Sequence, residues 1–193
     1  MVINSSFSKY LKLLENIANQ SNLDLLEKLY SEIEQCFVTR GRIFFAGNGG
    51  SAAIANHVVT DFSKLVVNEK YLTPISLCSN MSQLTANSND SGYENSFLLT
   101  IKNYYLNEND IVITISSSGN SRNILELINY ANSKNAKTFS LLGFDGGEAK
   151  NISKHSIIFE TKKDYYGPVE DLHMIVFHFI THLFKKDIIE IAS

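Results

Sequence analysis

The stretch Ile43-Phe44-Phe45-Ala46-Gly47-Asn48-Gly49-Gly50-Ser51 joins an apolar run of strand length to a glycine-rich turn. The run Ile111–Ile115 and the turn Ser116-Ser117-Ser118-Gly119-Asn120-Ser121 repeat the arrangement later in the chain. A helical pattern follows each turn. Glycines let the backbone approach a ligand, and the first amides of a helix have no internal acceptor, so each unit predicts an anion site. Neither turn has a P-loop lysine or reads G-x-G-x-x-G, which favours a small phosphorylated ligand over a nucleotide.

Strand and helix patterns alternate beyond residue 41. The predicted strands are Arg42–Ala46, Pro74–Cys78, Asp110–Ser116, Lys137–Leu142 and Ser156–Phe159. The predicted helices are Ser51–Lys64, Met81–Asn87, Glu94–Lys102, Ser121–Ser133, a short turn near Glu148, and Pro168–Lys186. Five apolar strands separated by helices predict an α/β three-layer sandwich around a five-stranded parallel sheet. Because ligands bind at the carboxyl ends of such strands, the two turns can face one pocket.

The first forty residues predict a helical hairpin. An apolar face runs from Tyr10 to Ile17, a second helix follows a predicted N-cap at Ser21-Asn22, and Arg40-Gly41 ends it. The sheet offers this hairpin little remaining surface, which favours packing against a second subunit in a symmetric oligomer. The alternative is that one helix covers a sheet face. We expect a single domain over residues 1–193, with helices 1–40 used in oligomerisation and an α/β core over 41–187.

Composition excludes several classes of protein. The 193 residues are 44% hydrophobic and 19% charged, which is typical of a globular domain with a substantial core. The net charge of −3 and the lack of a basic run argue against a nucleic-acid partner. The polar start and strand-length apolar runs predict neither a signal peptide nor a membrane span. Cys36 and Cys78 lie in apolar runs, which favours buried thiols over a disulfide and a cytoplasmic location.

Two helices carry residues that could do chemistry. His57 and Asp61 are spaced i, i+4 after the first turn, so they share a helix face and could hold a metal or set each other's protonation. The alternative is that His57 and Asp61 are an ordinary surface pair, as most histidine–aspartate pairs with this spacing are. His173, His178 and His182 lie among apolar residues of the last helix, where a core or interface histidine is the common alternative to a ligand.

A polar segment, Asn87 to Gly92, follows the predicted helix Met81–Asn87. We expect a turn here. It could bind sugar hydroxyls through Asn87, Asn89 and Asp90, or it could be a plain surface turn.

Three ordered motifs together carry a family resemblance: Gly47–Ser51, Asn89-Asp90-Ser91-Gly92-Tyr93 and Ser116–Ser121. With the right lengths between them, they resemble the SIS (sugar isomerase) domain, and most closely the phosphoheptose isomerase family. The resemblance runs to about Lys186. It implies a flavodoxin-like fold and a homotetramer with zinc-assisted active sites near subunit interfaces. It also implies conversion of sedoheptulose 7-phosphate to D-glycero-D-manno-heptose 7-phosphate for bacterial lipopolysaccharide or capsule, which we expect to pass through an enediol.

The resemblance also implies residue roles. The phosphate would be held by Ser116, Ser117, Ser118 and Ser121. The sugar would be contacted by Asn48, Gly49, Ser51, Asp90 and Glu170. The expected zinc ligands are His57, Asp61, Glu170 and His178, of which Asp61 and His178 are also the expected acid/base pair.

Four positions depart from the family pattern. Asp61 stands where the family has a glutamate, which shortens the side chain by one methylene, and Glu170 stands where it has a glutamine. Gly167 replaces an aspartate and Leu65 an arginine, for which Lys64 could partly substitute. Glu170 and His178 are also eight residues apart, about 12 Å along a continuous helix. Either Glu170 reaches forward from a loose first turn, or the ligands come from different subunits.

Two other functions stay open on the sequence. One is a non-catalytic phosphosugar-binding SIS protein that acts through a protein partner, such as the replication initiator protein. His57, an acidic residue at position 61 and His178 argue against that loss of catalysis. The other is an isomerase for a different phosphosugar, because Asp61, Leu65 and Gly167 lie where specificity would be set.

Overall fold

The structure, a computed structural model, describes residues 2–186, and of Val2 only the backbone. The helices are α1 (Val2–Gln20), α2 (Asp24–Thr39), α3 (Gly50–Phe62), α4 (Met81–Ser91), α5 (Ser96–Lys102), α6 (Arg122–Ser133), α7 (Ala149–Ile152) and α8 (Tyr166–Lys185), with a 3₁₀ turn at Tyr93–Asn95. The strands are β1 (Arg42–Gly47), β2 (Val66–Val67), β3 (Lys70–Tyr71), β4 (Thr73–Ser76), β5 (Ile111–Ser116), β6 (Lys137–Phe144) and β7 (His155–Glu160). Residue 187, the predicted end of the core, lies outside the described residues, as do Met1 and residues 188–193.

A five-stranded parallel sheet in the order β4-β1-β5-β6-β7 forms the centre of the molecule, which confirms the predicted fold class. From β1 the chain passes through α3 to β4 on one side, and from β5 it passes through α6 to β6 on the other. The strand order therefore reverses between β1 and β5. Such a switch point leaves a crevice at the carboxyl ends of the two strands, the place where ligands bind in open α/β sheets.

Helices cover the sheet and position the last helix beside α3. Helix α3 packs on β1 and β4, α8 packs on α3 and β6, and α6 packs on β5 and β6 with α5 alongside. Phe45 of β1 makes edge-to-face ring contacts with Phe62 of α3 at 5.6 Å and with Phe177 of α8 at 5.7 Å. All three rings are buried. Aromatic pairs of this geometry add to the free energy gained by burial alone, so this cluster fixes α8 against α3.

The opposite end of the sheet is held by an ion pair between neighbouring strands. Asp110, 1% exposed, precedes β5 and accepts hydrogen bonds from the Arg42 backbone at 2.9 Å and from its Nε at 3.0 Å. A buried carboxylate needs such partners to offset its desolvation. The pair links the starts of β1 and β5, the strands that carry the two ligand loops.

The N-terminal hairpin packs unevenly. Helix α2 buries Leu29, Ile33, Cys36 and Phe37 and packs against β1 and β7, as in the alternative that one helix covers a sheet face. Helix α1 leaves Ile3, Phe7 and Leu11 exposed. The predicted N-cap at Ser21-Asn22 was wrong, because Leu23 occupies the N-cap of α2 and the Ser21 hydroxyl donates to the Ile17 carbonyl in the last turn of α1. The predicted stop is confirmed, since Arg40 adopts the left-handed conformation that ends helices.

Two local predictions need correction. The segment Asn87–Ser91 is helical, not a turn, because α4 continues to Ser91. The Asn87 amide donates to the Ser96 carbonyl and to Thr100 Oγ1, a tertiary anchor that sequence propensity does not show. The short antiparallel pair β2–β3 was not predicted. Cys36 and Cys78 are buried free thiols, as predicted.

A search of residues 2–186 for membrane spans found no helix with the length and apolarity needed to cross a bilayer.

Candidate active site

The switch point holds a cavity of about 290 Å³ between the loops that follow β1 and β5. Its lining consists of Asn48, Gly49, Gly50, Ser51, Ile115, Ser116, Ser117, Ser118, Ser121, Tyr166 and Glu170. The prediction that both loops face one pocket is confirmed. The lining also includes every serine expected to hold phosphate. Tyr166 gave no signal in the sequence, and it reaches the cavity because α8 begins there.

The glycine loop brings backbone close to an acidic side chain. Gly49 has a φ of 55°, which favours glycine, and it forms the N-cap of α3 without a side-chain cap. A Cβ at Gly50 would collide with the Glu170 carboxylate of α8. Glycine at this position therefore lets the Glu170 carboxylate lie against the start of α3, and a side chain there would push the carboxylate away. In this position Glu170 belongs to the wall of the cavity.

The serine loop is held in shape by its own hydrogen bonds. Ser116 Oγ accepts from the Gly119 amide at 3.1 Å, and Ser118 Oγ accepts from the Asn120 amide at 3.3 Å. Gly119 has a φ of 62°, and a Cβ there would collide with the Gly146 carbonyl. Ser121 is the N-cap of α6 but makes no side-chain cap bond. Its hydroxyl and the first amides of α6 are therefore positioned to bind an anion.

Ser117 differs from the other serines of the loop. Its side-chain oxygen is buried and has no hydrogen-bond partner among the residues that the structure describes. Its carbonyl accepts from the Gly143 amide of β6 at 3.1 Å. A buried hydroxyl without a hydrogen-bond partner costs free energy. A polar ligand in the cavity that bonds to the Ser117 hydroxyl would therefore be stabilised by this contact.

The electrostatics of the cavity come from dipoles on one side and a carboxyl on the other. Glu170 is the one charged residue among the described lining residues. Burial raises its pKa, and the charge of the neighbouring Asp171 raises it further. No lysine or arginine in the described lining faces a bound phosphate, so hydroxyls, amides and the α6 dipole would have to stabilise its charge.

Three predicted metal ligands meet between α3 and α8. His57 Nε2 lies 2.9 Å from His178 Nε2 and 3.2 Å from Asp61 Oδ2, and His178 Nε2 lies 3.8 Å from the same Asp61 oxygen. Within residues 2–186, this is the group of histidine, cysteine and acidic side chains close enough to share an ion. His57 and His178 are exposed and Asp61 is half-buried. The i, i+4 spacing places His57 and Asp61 together, and the Phe45 cluster brings His178 to them.

The donor set suits a divalent cation such as zinc. A tetrahedral zinc ion lies about 2.1 Å from each nitrogen or oxygen ligand, which places neighbouring ligand atoms about 3.4 Å apart. The three separations here span that value. Two imidazole nitrogens and one carboxylate leave a fourth position for substrate or another ligand, the pattern of catalytic zinc sites.

Two predicted site residues, Glu170 and Asp90, do not belong to the cluster of potential metal ligands. Glu170 lines the cavity but does not belong to the cluster of His57, Asp61 and His178. Asp90 is exposed on α4, where it accepts from Asn89 Nδ2 at 3.1 Å, and it does not belong to the cavity lining described above. Helix α8 is continuous from Tyr166, so Glu170 does not reach forward to His178 from an irregular first turn.

Asn48 is connected to Tyr93, the last residue of the second motif, and to Asn123, which the sequence did not single out. Its side-chain amide and that of Asn123 donate to each other, at 3.0 Å from Asn48 Nδ2 and 2.9 Å from Asn123 Nδ2. The Tyr93 hydroxyl donates to Asn48 Oδ1 at 2.7 Å. Asn123 is 1% exposed. A polar residue two positions after Ser121, at the start of an otherwise apolar helix face, was the available signal.

Comparisons with known proteins agree with this architecture. The family model for the SIS domain matches residues 7–143. The phosphoheptose isomerase of Helicobacter pylori strain P12 is 34% identical over 182 residues, which cover 94% of this chain and 89% of that protein. The phosphoheptose isomerase of Chlorobium limicola is 33% identical over 178 residues, covering 91% and 82%.

Solved structures show the same fold. The phosphoheptose isomerase of Neisseria gonorrhoeae superposes with a TM-score of 0.83 at 22% identity, covering 95% of this chain and 97% of that one. The enzyme of Francisella tularensis gives 0.82 at 25% identity, covering 95% and 96%. The matched domain and the identity to curated relatives along nearly the whole chain lead to one conclusion: this chain is a SIS-domain protein of the phosphoheptose isomerase family.

Proposed function

We propose that this chain is an aldose–ketose isomerase that converts sedoheptulose 7-phosphate to D-glycero-D-manno-heptose 7-phosphate. The observation that carries the proposal is the cluster of His57, Asp61 and His178 in a chain that also has a serine-lined cavity. The curated relatives bear the name phosphoheptose isomerase. The product would serve heptose synthesis for lipopolysaccharide or capsule.

Ser116, Ser117, Ser118 and Ser121 bind the phosphate in this proposal. Their hydroxyls and the α6 amides supply the donors, since the described cavity lining holds no lysine or arginine, and the hydrogen-bonded loop holds the phosphorylated end in one place. This end does not react, so its binding energy serves to position the reacting carbons. Asn48, Gly49, Ser51, Asp90 and Glu170 contact the sugar.

His57, Asp61 and His178 hold the metal, for which zinc fits the donor set. When bound, the ion polarises the substrate carbonyl and stabilises negative charge on its oxygen. Asp61 removes a proton from C1 of the ketose while His178 protonates the C2 oxygen, which gives a cis-enediol. Asp61 then returns the proton to C2 and His178 removes the proton from the C1 oxygen, which leaves the aldose.

Asp61 and Glu170, the two departures from the family pattern at the site, have different roles in this proposal. Asp61 keeps its reach despite the shorter side chain, which is supported by its 3.2 Å approach to His57 Nε2. Glu170, offset from His178 along a regular helix, contacts sugar in its own subunit. Were Glu170 a metal ligand instead, the ligands would have to come from different subunits, because the continuous helix α8 does not bring Glu170 to His178.

A homotetramer completes the proposal. Exposed apolar residues support it on two elements: Phe7 and Leu11 on α1, and Ile175 and Phe179 on α8 next to the exposed His178. Residues 1–40 serve oligomerisation and 41–187 form the core of the single domain. The oligomer works in the cytoplasm, where free thiols such as Cys36 and Cys78 persist. Light scattering of the purified protein should give four times the mass of one chain.

Incubation of sedoheptulose 7-phosphate with the zinc-loaded protein in D₂O tests the reaction. The proton on Asp61 exchanges with the solvent while the enediol is bound, so the enediol route predicts an aldose product that carries deuterium at C2, visible by NMR. Aldose without deuterium would contradict proton exchange at this site, and a substrate recovered unchanged would contradict the proposed function.

A further inference from the structure

The network around Asn48 joins all three motifs of the sequence. Asn48 belongs to the glycine loop, and Asn123 follows the serine loop at the start of α6. Tyr93 is the last residue of the motif Asn89–Tyr93, which overlaps the end of α4. We propose that Asn123 and Tyr93 are positioning residues that fix the Asn48 side chain so that it presents one N–H donor to a sugar oxygen. This inference rests on the proposed function, because it assigns Asn48 to sugar binding.

The hydrogen-bonding capacity of an asparagine leads to this assignment. Its carbonyl oxygen accepts two hydrogen bonds and its nitrogen donates two. Asn48 Oδ1 accepts from Asn123 Nδ2 and from the Tyr93 hydroxyl, so its acceptor capacity is filled. Asn48 Nδ2 donates one hydrogen to Asn123 Oδ1. One N–H remains, and Asn48 lines the cavity.

Burial separates the roles of the two asparagines. Asn123 is 1% exposed and lines a neighbouring cavity with Asn48 and Tyr93, not the serine-loop cavity, so toward a ligand in the serine-loop cavity it acts through Asn48. Its reciprocal amide pair with Asn48 opposes rotation of the Asn48 side chain alone, because that rotation would set two donors against each other and two acceptors against each other. Tyr93 adds a third hydrogen bond from a different segment. The ligand selected is one that offers an oxygen acceptor, a hydroxyl or carbonyl oxygen, at this point.

A donor held in this way favours an oxygen-bearing ligand over an analogue without that oxygen. A site built to hydrogen-bond a substrate group leaves its own polar atom unpaired when the group is missing. The network therefore links substrate selection to the docking of α4 and α6, since the Asn48 donor keeps its direction only while Tyr93 and Asn123 stay in place.

The test is a double-mutant cycle with a matched control. Asn123→Ala should lower kcat/KM for sedoheptulose 7-phosphate about tenfold, and Tyr93→Phe, which removes one exposed hydroxyl, about threefold. In an Asn48→Ala background, Asn123→Ala should cause no further loss, because the group through which it acts is gone. Asn132→Ala is the control. Its side-chain amide also forms two hydrogen bonds, because it donates to the Ile152 carbonyl and accepts from Thr138 Oγ1. It lies about 14 Å further along α6 than Asn123. It should change kcat/KM less than twofold.

Crystal structures of the same variants give a readout that does not depend on turnover. Asn48 should keep its orientation in wild type and in Asn132→Ala, and should lose it in Asn123→Ala. An equal loss of kcat/KM from Asn123→Ala in both backgrounds, or an unmoved Asn48 in that variant, would overturn the inference. If the wild type does not act on sedoheptulose 7-phosphate, the proposed function fails, and the crystallographic arm still decides whether Asn123 positions Asn48.

Discussion

His57 Nε2 on α3 lies 2.9 Å from His178 Nε2 on α8, although 121 positions separate the two residues in the chain. The contact depends on the packing of α8 against α3 through Phe45, Phe62 and Phe177. Asp61 Oδ2 lies beside both nitrogens. Three potential metal ligands from α3 and α8 therefore meet at one point. The proposed chemistry is centred on these residues, His57, Asp61 and His178.

Metal content should depend on these histidines. His57→Ala or His178→Ala removes one of three ligands, and we expect the zinc bound per chain after dialysis to fall below about a tenth of the wild-type value. Elemental analysis measures it. His182→Asn, one turn further along α8, is the control and should keep wild-type zinc. Full zinc retention in both alanine variants would place the metal elsewhere.

Turnover and binding should separate at Asp61. Asp61→Asn keeps the size of the side chain but loses the base, so kcat should fall about 1,000-fold. Phosphosugar affinity, measured by calorimetry with sedoheptulose 7-phosphate, should change little because the serine loop is intact. Unchanged turnover in Asp61→Asn would refute the assignment of the base.

The serine loop should show the reverse pattern. Ser118→Ala removes one hydroxyl from the cavity, and we expect a five- to tenfold higher KM with a much smaller change in kcat, since the other serines of the loop still hold the phosphate in position. Steady-state kinetics measures both constants. Ser133→Ala, whose hydroxyl bonds to the Tyr130 carbonyl at the far end of α6, is the matched control. A drop in kcat with constant KM for Ser118→Ala would contradict a phosphate-binding role.

Acid should destabilise the fold through a buried histidine. His173 is 0% exposed on α8, and burial lowers its pKa to about 4, an effect that the nearby Leu142 backbone partly opposes. The unfolded chain takes up this proton near pH 6.5 and the folded chain only near pH 4. Stability is therefore full above pH 6.5 and is lost as the pH falls toward 4, by about 3 kcal/mol.

Denaturant unfolding at a series of pH values measures this loss. His173→Gln cannot take up the proton, so its free energy of unfolding should fall less steeply than that of wild type between pH 6.5 and pH 4. Parallel curves for the two proteins would show that His173 does not contribute to the acid sensitivity.

The sequence predicted the five parallel strands because their apolar runs are bounded by glycine, serine and proline turns. It predicted the two ligand loops because the loop residues and the following helix share a local pattern. The end of α4 was missed because the side-chain bonds of Asn87 to Ser96 and Thr100 come from tertiary packing. The role of Asn123 as a partner of Asn48 was missed for the same reason, since the two residues lie 75 positions apart.

The proximity of His178 to His57 and Asp61 was reached through family resemblance and not through periodicity. Spacing alone could place His57 beside Asp61, because one helix turn separates them. No local rule places α8 beside α3. That contact depends on the strand order and on three buried aromatic rings, which only the folded chain brings together.

The most direct test of the account compares sedoheptulose 7-phosphate with other ketose phosphates, such as ribulose 5-phosphate and fructose 6-phosphate, as substrates of the purified zinc-loaded protein and of the chelated protein. The account predicts an aldose product from sedoheptulose 7-phosphate, the highest kcat/KM for this substrate, and loss of turnover on chelation that zinc restores. The absence of any aldose from sedoheptulose 7-phosphate with zinc present would contradict it.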